Sequence, residues 1–96
     1  GYLRGWMKTD ARGRYEFRTI RPGSYPGRSA AAHVHIVVKE PGRREYWIDA
    51  VVFAGDPLLT EDQKNPQDPR GGSGLVDVSL DVESVWRGQR DIVLER

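Results

Sequence analysis

The two histidines of the chain, His33 and His35, stand one residue apart in His33-Val34-His35-Ile36-Val37-Val38. In a β-strand, residues i and i+2 share a face, with Cα atoms roughly 6.5–7 Å apart. Two imidazoles placed in this way can converge on one metal ion. Imidazole serves zinc, copper, iron and nickel alike, so the pair does not select the metal. Two half-buried strand histidines without a metal are the plainer alternative. The preceding loop brings in a third group, Tyr25, in Pro22-Gly23-Ser24-Tyr25-Pro26-Gly27-Arg28. A phenol beside a cation can lose its proton despite a reference pKa of about 10, because the positive charge favours phenolate. Phenolate is a hard anionic donor, so this set points to Fe(III) over zinc.

Composition narrows the alternatives. The chain of 96 residues contains no Cys, which excludes disulfides, thiolate nucleophiles and Cys-ligated metals and leaves the redox compartment open. Fifteen basic residues against fourteen acidic ones give a net charge of +1, without the single-sign field of a nucleic-acid binder. Apolar runs such as Ala50 to Ala54 fall far short of the roughly 18–20 residues of a membrane span. Neither nucleic acid nor membrane is an expected partner. The cytoplasm is the expected location, with secretion left open.

The elements that must position His33 and His35 read as strands. Tyr2 to Thr9 and Arg14 to Ile20 flank Asp10-Ala11-Arg12-Gly13, a turn sequence, and form an expected hairpin. Tyr15, Phe17 and Thr19 would share its half-buried face. Ser24 to Ala32 is an irregular loop, followed by a strand from His33 to Lys39 and a turn at Pro41-Gly42. Glu45 to Phe53 has a nearly continuous apolar second half, as expected of a central strand buried on both faces. Leu58 to Gly74, rich in Asp, Asn, Pro and Gly, reads as a long mobile loop. Alternation from Val76 to Val82 and a short segment from Asp91 to Glu95 complete six strands. The fold class is all-β, an antiparallel β-sandwich with an irregular metal-binding loop, in one domain over residues 1–96.

At these residues the sequence resembles the intradiol ring-cleavage dioxygenases. The resemblance rests on Arg4-Gly5, Thr9-Asp10, Gly13-Arg14-Tyr15-Glu16-Phe17-Arg18-Thr19-Ile20, Pro22-Gly23, Tyr25-Pro26-Gly27-Arg28 and His33-Val34-His35. It continues through Phe53-Ala54-Gly55-Asp56-Pro57-Leu58 and Asp91-Ile92-Val93-Leu94. It implies a β-sandwich holding non-haem Fe(III) through two Tyr and two His, acting on a small aromatic diol and O₂. Tyr25, His33 and His35 are the implied metal ligands present here. Tyr25 is also the implied ligand that leaves on substrate binding and accepts the second catechol proton. Arg28 is the implied stabiliser of catecholate charge, since a guanidinium stays cationic at working pH.

Three departures qualify what the resemblance implies. Many family members carry an Arg three residues before the first His, where this chain has Ala30, so Arg28 either takes that role or is solvated. Ala50 falls where better-known members have Gln. The family's other tyrosine ligand has no counterpart here, so the chain is expected to be the C-terminal portion of a longer enzyme, inactive by itself. The competing expectation is a non-enzymatic β-sandwich binding module with an incomplete metal site. A homo-oligomer is compatible with either. Trp6, Trp47 and Trp86 are expected in core or rim packing, Tyr15 and Tyr46 as packing residues, Asp56 as a turn former, and Gly71-Gly72-Ser73-Gly74 as a flexible loop.

Overall fold

The computed structural model describes residues 5–20 and 31–95. Tyr25, Arg28 and nearly all of the Ser24 to Ala32 loop lie outside the described residues, as does the start of the first expected strand. Strand β1, His33–Val38, pairs antiparallel with β2, Tyr46–Phe53. The connection turns at Pro41-Gly42, where Gly42 has φ 73° and the Arg43 amide donates to the Glu40 carbonyl at 3.2 Å. This left-handed backbone is the conformation that glycine adopts at little cost.

Strand β2 is central, as its apolar second half implied, with β1 on one edge and β3, Leu75–Val76, on the other. A second, two-stranded antiparallel sheet joins β4, Ser79–Leu80, to β5, Trp86–Arg87. With a single four-residue helix, α1 at Glu61–Lys64, among the described residues, the fold is all-β. Its pairing is mixed, because β3 runs parallel to β2. That parallel register becomes accessible because the long segment after β2 carries the chain back before β3 begins.

Ala32, Val51, Phe53 and Val76 form the core cluster, with Val34, Ile36 and Val78 packed against it. Strand alternation explains the choice on β1: Val34 and Ile36 turn inward, while His33, His35 and Val37 turn out. Each fully buried Val or Phe contributes roughly 1.5–3 kcal/mol, so this small cluster is the main apolar source of stability in the β1–β2–β3 sheet.

Several sequence expectations are revised. The arms around the Asp10 turn carry no regular ladder within residues 5–20. Only the turn itself is closed, by Asp10 and Arg14 and by Gly13 and Asp10 at 2.9 and 3.0 Å. Phe17 and Thr19 are exposed there, and Tyr15 alone is half-buried. The segment from Leu58 to Gly74 contains α1, because Thr60 and Gln63 form a capping box, each side chain bonding the other's backbone amide.

The glycine run is close-packed. A Cβ on Gly71 would lie 2.7 Å from the Ile48 side chain, and one on Gly74 would overlap the Ala50 carbonyl. The expected strand from Val76 to Val82 breaks after Val76, leaving Leu80 and Val82 exposed. Asp91 to Glu95 forms no strand, since the Val93 amide bonds to the Gly71 carbonyl of the loop. Trp6, Trp47 and Trp86 are 91%, 59% and 65% exposed, so none is a core residue.

Tyr15 and Tyr46 do pack, and each has its hydroxyl satisfied. Tyr15 donates to the Arg90 carbonyl at 2.6 Å, and Tyr46 donates to Glu40 at 2.8 Å. Burial raises the Tyr15 pKa above the usual tyrosine value; Arg90 opposes the shift and Asp91 adds to it. Neutral Tyr15 therefore contributes stability that is whole below about pH 10 and is lost as pH rises through the folded-state value. Tyr15→Phe should cost about 1 kcal/mol in urea unfolding at pH 7. The gap to wild type should narrow above about pH 10; a gap unchanged at pH 11 would contradict the assignment.

Candidate functional site

The outward face of β1 brings His33 and His35 together, with ring centroids 4.8 Å apart and planes inclined at 79°. Both side chains are exposed, not half-buried. His33 Nδ1 lies 2.9 Å from the Ala31 carbonyl. A carbonyl can only accept, so the proton resides on Nδ1, and in the neutral ring Nε2 carries the free lone pair. This is the tautomer in which an imidazole can offer Nε2 to a metal, its other nitrogen being fixed by a backbone oxygen.

His35 meets Trp47 edge to face at 5.7 Å and 88°. Trp47 lies opposite Val37 in the strand register, so the tryptophan, Val37 and the histidine pair share the outer face of the hairpin. From sequence, Trp47 reads as a core or rim packing residue. The signal that could have placed it beside His35 is the antiparallel register, counted back from the Pro41-Gly42 turn.

The position of β1 is fixed at its start by Asp56. Its Oδ2 accepts from the buried Ala32 amide at 3.1 Å, and its Oδ1 accepts from Leu58 at 2.9 Å. Asp56 is thus a turn former, as expected, and also a tether joining the end of β2 to the residue before His33. Nothing in its sequence neighbourhood signals that second contact, which spans 24 residues.

A β-bulge lies opposite His35. Val34 pairs with Val51 and Ile36 with Ile48, so Asp49 and Ala50 together oppose a single residue. Asp49 turns its backbone away from β1: its amide donates to the Arg70 carbonyl at 2.9 Å, and its carbonyl accepts from Arg90 Nη1 at 2.5 Å. Arg90 also reaches the Gly72 carbonyl at 3.2 Å. Burial draws the Arg90 guanidinium below its ordinary pKa, while Tyr15 and Asp49 pull the other way.

Among the described residues no group of three or more His, Cys, Asp or Glu side chains forms a metal cluster. The site described here is the histidine pair with its Trp47 neighbour. Tyr25 and Arg28, the other residues singled out from sequence, lie outside the described residues.

A curated relative, the protocatechuate 3,4-dioxygenase beta chain of Burkholderia cepacia, is 40% identical over 63 residues, covering 60% of this chain. The match spans 27% of that relative's length. No family model matches the chain, and no solved structure matches it significantly.

Asp56→Ala should leave the Ala32 and Leu58 amides without their acceptor and cost about 1–3 kcal/mol. Amide hydrogen exchange at Ala32 and Leu58 should accelerate well beyond that of the Val51 and Val52 amides. Unchanged protection at Ala32 would show that Asp56 does not hold the start of β1.

Proposed function

From its kinship with the intradiol ring-cleavage dioxygenases, we propose that this chain is the C-terminal part of a non-haem Fe(III)-dependent intradiol dioxygenase. The proposed reaction opens the ring of a small catechol-type aromatic between its two hydroxyl-bearing carbons, using O₂. The observation that supports this most strongly is the paired, outward-facing imidazoles of His33 and His35, with Nδ1 of His33 bound to the Ala31 carbonyl. They occur in a chain related to a dioxygenase subunit.

In this reading His33 and His35 hold the iron through ring nitrogens, and Tyr25 adds a phenolate. When bound, ferric iron supplies the Lewis acidity that favours a catechol dianion and prepares it for O₂. His33 keeps its proton on Nδ1, so its Nε2 lone pair is available without a change of tautomer. Tyr25 takes the proton of the second catechol hydroxyl on its phenolate oxygen. Arg28 offers a permanent positive charge to the catecholate. Trp47, edge-on to His35, restricts the swing of that ring and walls one side of the face.

A second reading, a binding module without catalysis, draws on Ala50. Lying in the bulge opposite His35, it has no donor to present where better-known family members have Gln. Both readings are compatible with a cytoplasmic or a secreted protein, and both admit a homo-oligomer. Among the described residues no helix is long and apolar enough to cross a membrane.

The complete gene product, loaded with iron, should show the visible charge-transfer absorption of a ferric tyrosinate and should consume O₂ with at least one of a panel of catechols. Colour without O₂ consumption would favour the binding module; neither signal would remove the proposal. His35→Ala should abolish stoichiometric iron binding while leaving the far-ultraviolet circular dichroism unchanged. Full iron retention in that variant would remove His35 from the ligand set.

A further inference from the structure

Arg90 is the one charged residue among the described residues that is buried, at 9% exposure. Among the described residues it forms no salt bridge, although the Asp49 carboxylate attracts it. Its guanidinium instead donates to two backbone carbonyls, Asp49 at 2.5 Å and Gly72 at 3.2 Å, while its own carbonyl accepts from Tyr15. Among the described residues its buried Nε has no hydrogen-bond partner. Burying a cation on neutral acceptors is costly, so a sequence keeps such an arrangement where the acceptors need it.

The need lies at the bulge. An extra residue in a strand leaves backbone groups outside the ladder, and a buried orphan carbonyl costs about 1–3 kcal/mol. Asp49 is in this position, and Arg90 supplies the donor its carbonyl lacks. With Asp49 drawn toward Arg70 and Arg90, the bulge is held open on the side away from β1. The backbone facing His35 is then held by bonds from Asp49 to Arg70 and Arg90.

We infer that Arg90 is a positioning residue for His35, acting through the Asp49–Ala50 bulge and fixing the direction in which that imidazole leaves the sheet. The inference rests on the reading of His35 as an iron ligand. It separates the two histidines: His33 is aimed by the Ala31 carbonyl and faces Val52, beyond the bulge, whereas His35 faces the bulge itself. Loss of Arg90 should therefore disturb one ring and spare the other.

The test uses the complete gene product, metal-free, with isotope-labelled histidine and tryptophan. In Arg90→Met, nuclear Overhauser contacts between the His35 and Trp47 rings should fall at least threefold, with the His33-to-Val52 contacts retained. Titration with ferric nitrilotriacetate should then show iron affinity about tenfold weaker, with most of the loss recovered in Arg90→Lys, which keeps one donor for the Asp49 carbonyl. If Arg90→Met does not fold, Arg90→Lys is compared directly with wild type and should show a smaller loss confined to the same His35 contacts. Intact His35-to-Trp47 contacts in a folded variant would overturn the inference. So would equal loss at both histidines, which would make Arg90 a general structural residue. A wild-type protein that binds no iron would remove the iron reading, while the metal-free ring contacts would still decide whether Arg90 aims His35.

Discussion

The antiparallel pairing of β1 with β2 is the constraint on which the site depends. Side chains on a strand alternate with period two, so one register decides at once that Val34 and Ile36 are core and that His33 and His35 are not. A slip of one residue would drive two imidazoles into the cluster around Val51 and Phe53 and expose its aliphatic side chains. The hydrophobic pattern thus protects the polar one. The tether from Asp56 to Ala32 reinforces the same register at the end of β1 nearest the histidines.

The bulge resolves a conflict within β2. Val51, Val52 and Phe53 are all buried, but only Val51 and Phe53 belong to the core cluster, and strict alternation would continue their phase to Asp49 and Trp47. That would bury a carboxylate and turn Ile48 to the outer face. Inserting one residue at Asp49–Ala50 shifts the phase, so Ile36 meets Ile48, which is buried close to Gly71. Trp47 then lies opposite Val37 on the outer face. The residue spent on that correction leaves a carbonyl to be satisfied, and Arg90 satisfies it. The ring contact between Trp47 and His35 is a product of the same phase shift.

Elements governed by local pattern were legible in the sequence: the alternation of β1, the apolar second half of β2, and the turns at Asp10, Pro41-Gly42 and Asp56. The resemblance that marked out His33 and His35 was legible as well, and the related dioxygenase subunit agrees with it. Features that depend on distant partners were not. Asp91 to Glu95 has strand-like composition, yet its Val93 amide bonds to the glycine loop. The glycine run looked mobile because sequence does not show Ile48 and Ala50 filling the space a Cβ would take. Arg90 carries no local mark of burial, since its acceptors are backbone oxygens at Asp49 and Gly72. The bulge did leave a trace: Asp49 sits at a position that period-two reading would bury.

In the proposed reading, this division separates what would hold a metal from what would tune its chemistry. The tautomer of His33 is set by Ala31, a contact two residues away on the same chain, and it survives any change in β2 that preserves the register. His35 instead lies opposite the Asp49–Ala50 bulge, so a shift of that backbone bears on both residues. A side chain at position 50 acts where the backbone is already committed to Arg70, Arg90 and Gly74, and the Gly74 contact leaves no room for β2 to retreat. A long donor side chain at position 50 would change what the face could offer a ligand while leaving the ladder and the contact of His33 with Ala31 in place. On the proposed reading, a change at position 50 would retune the chemistry of the face without dismantling the histidine pair.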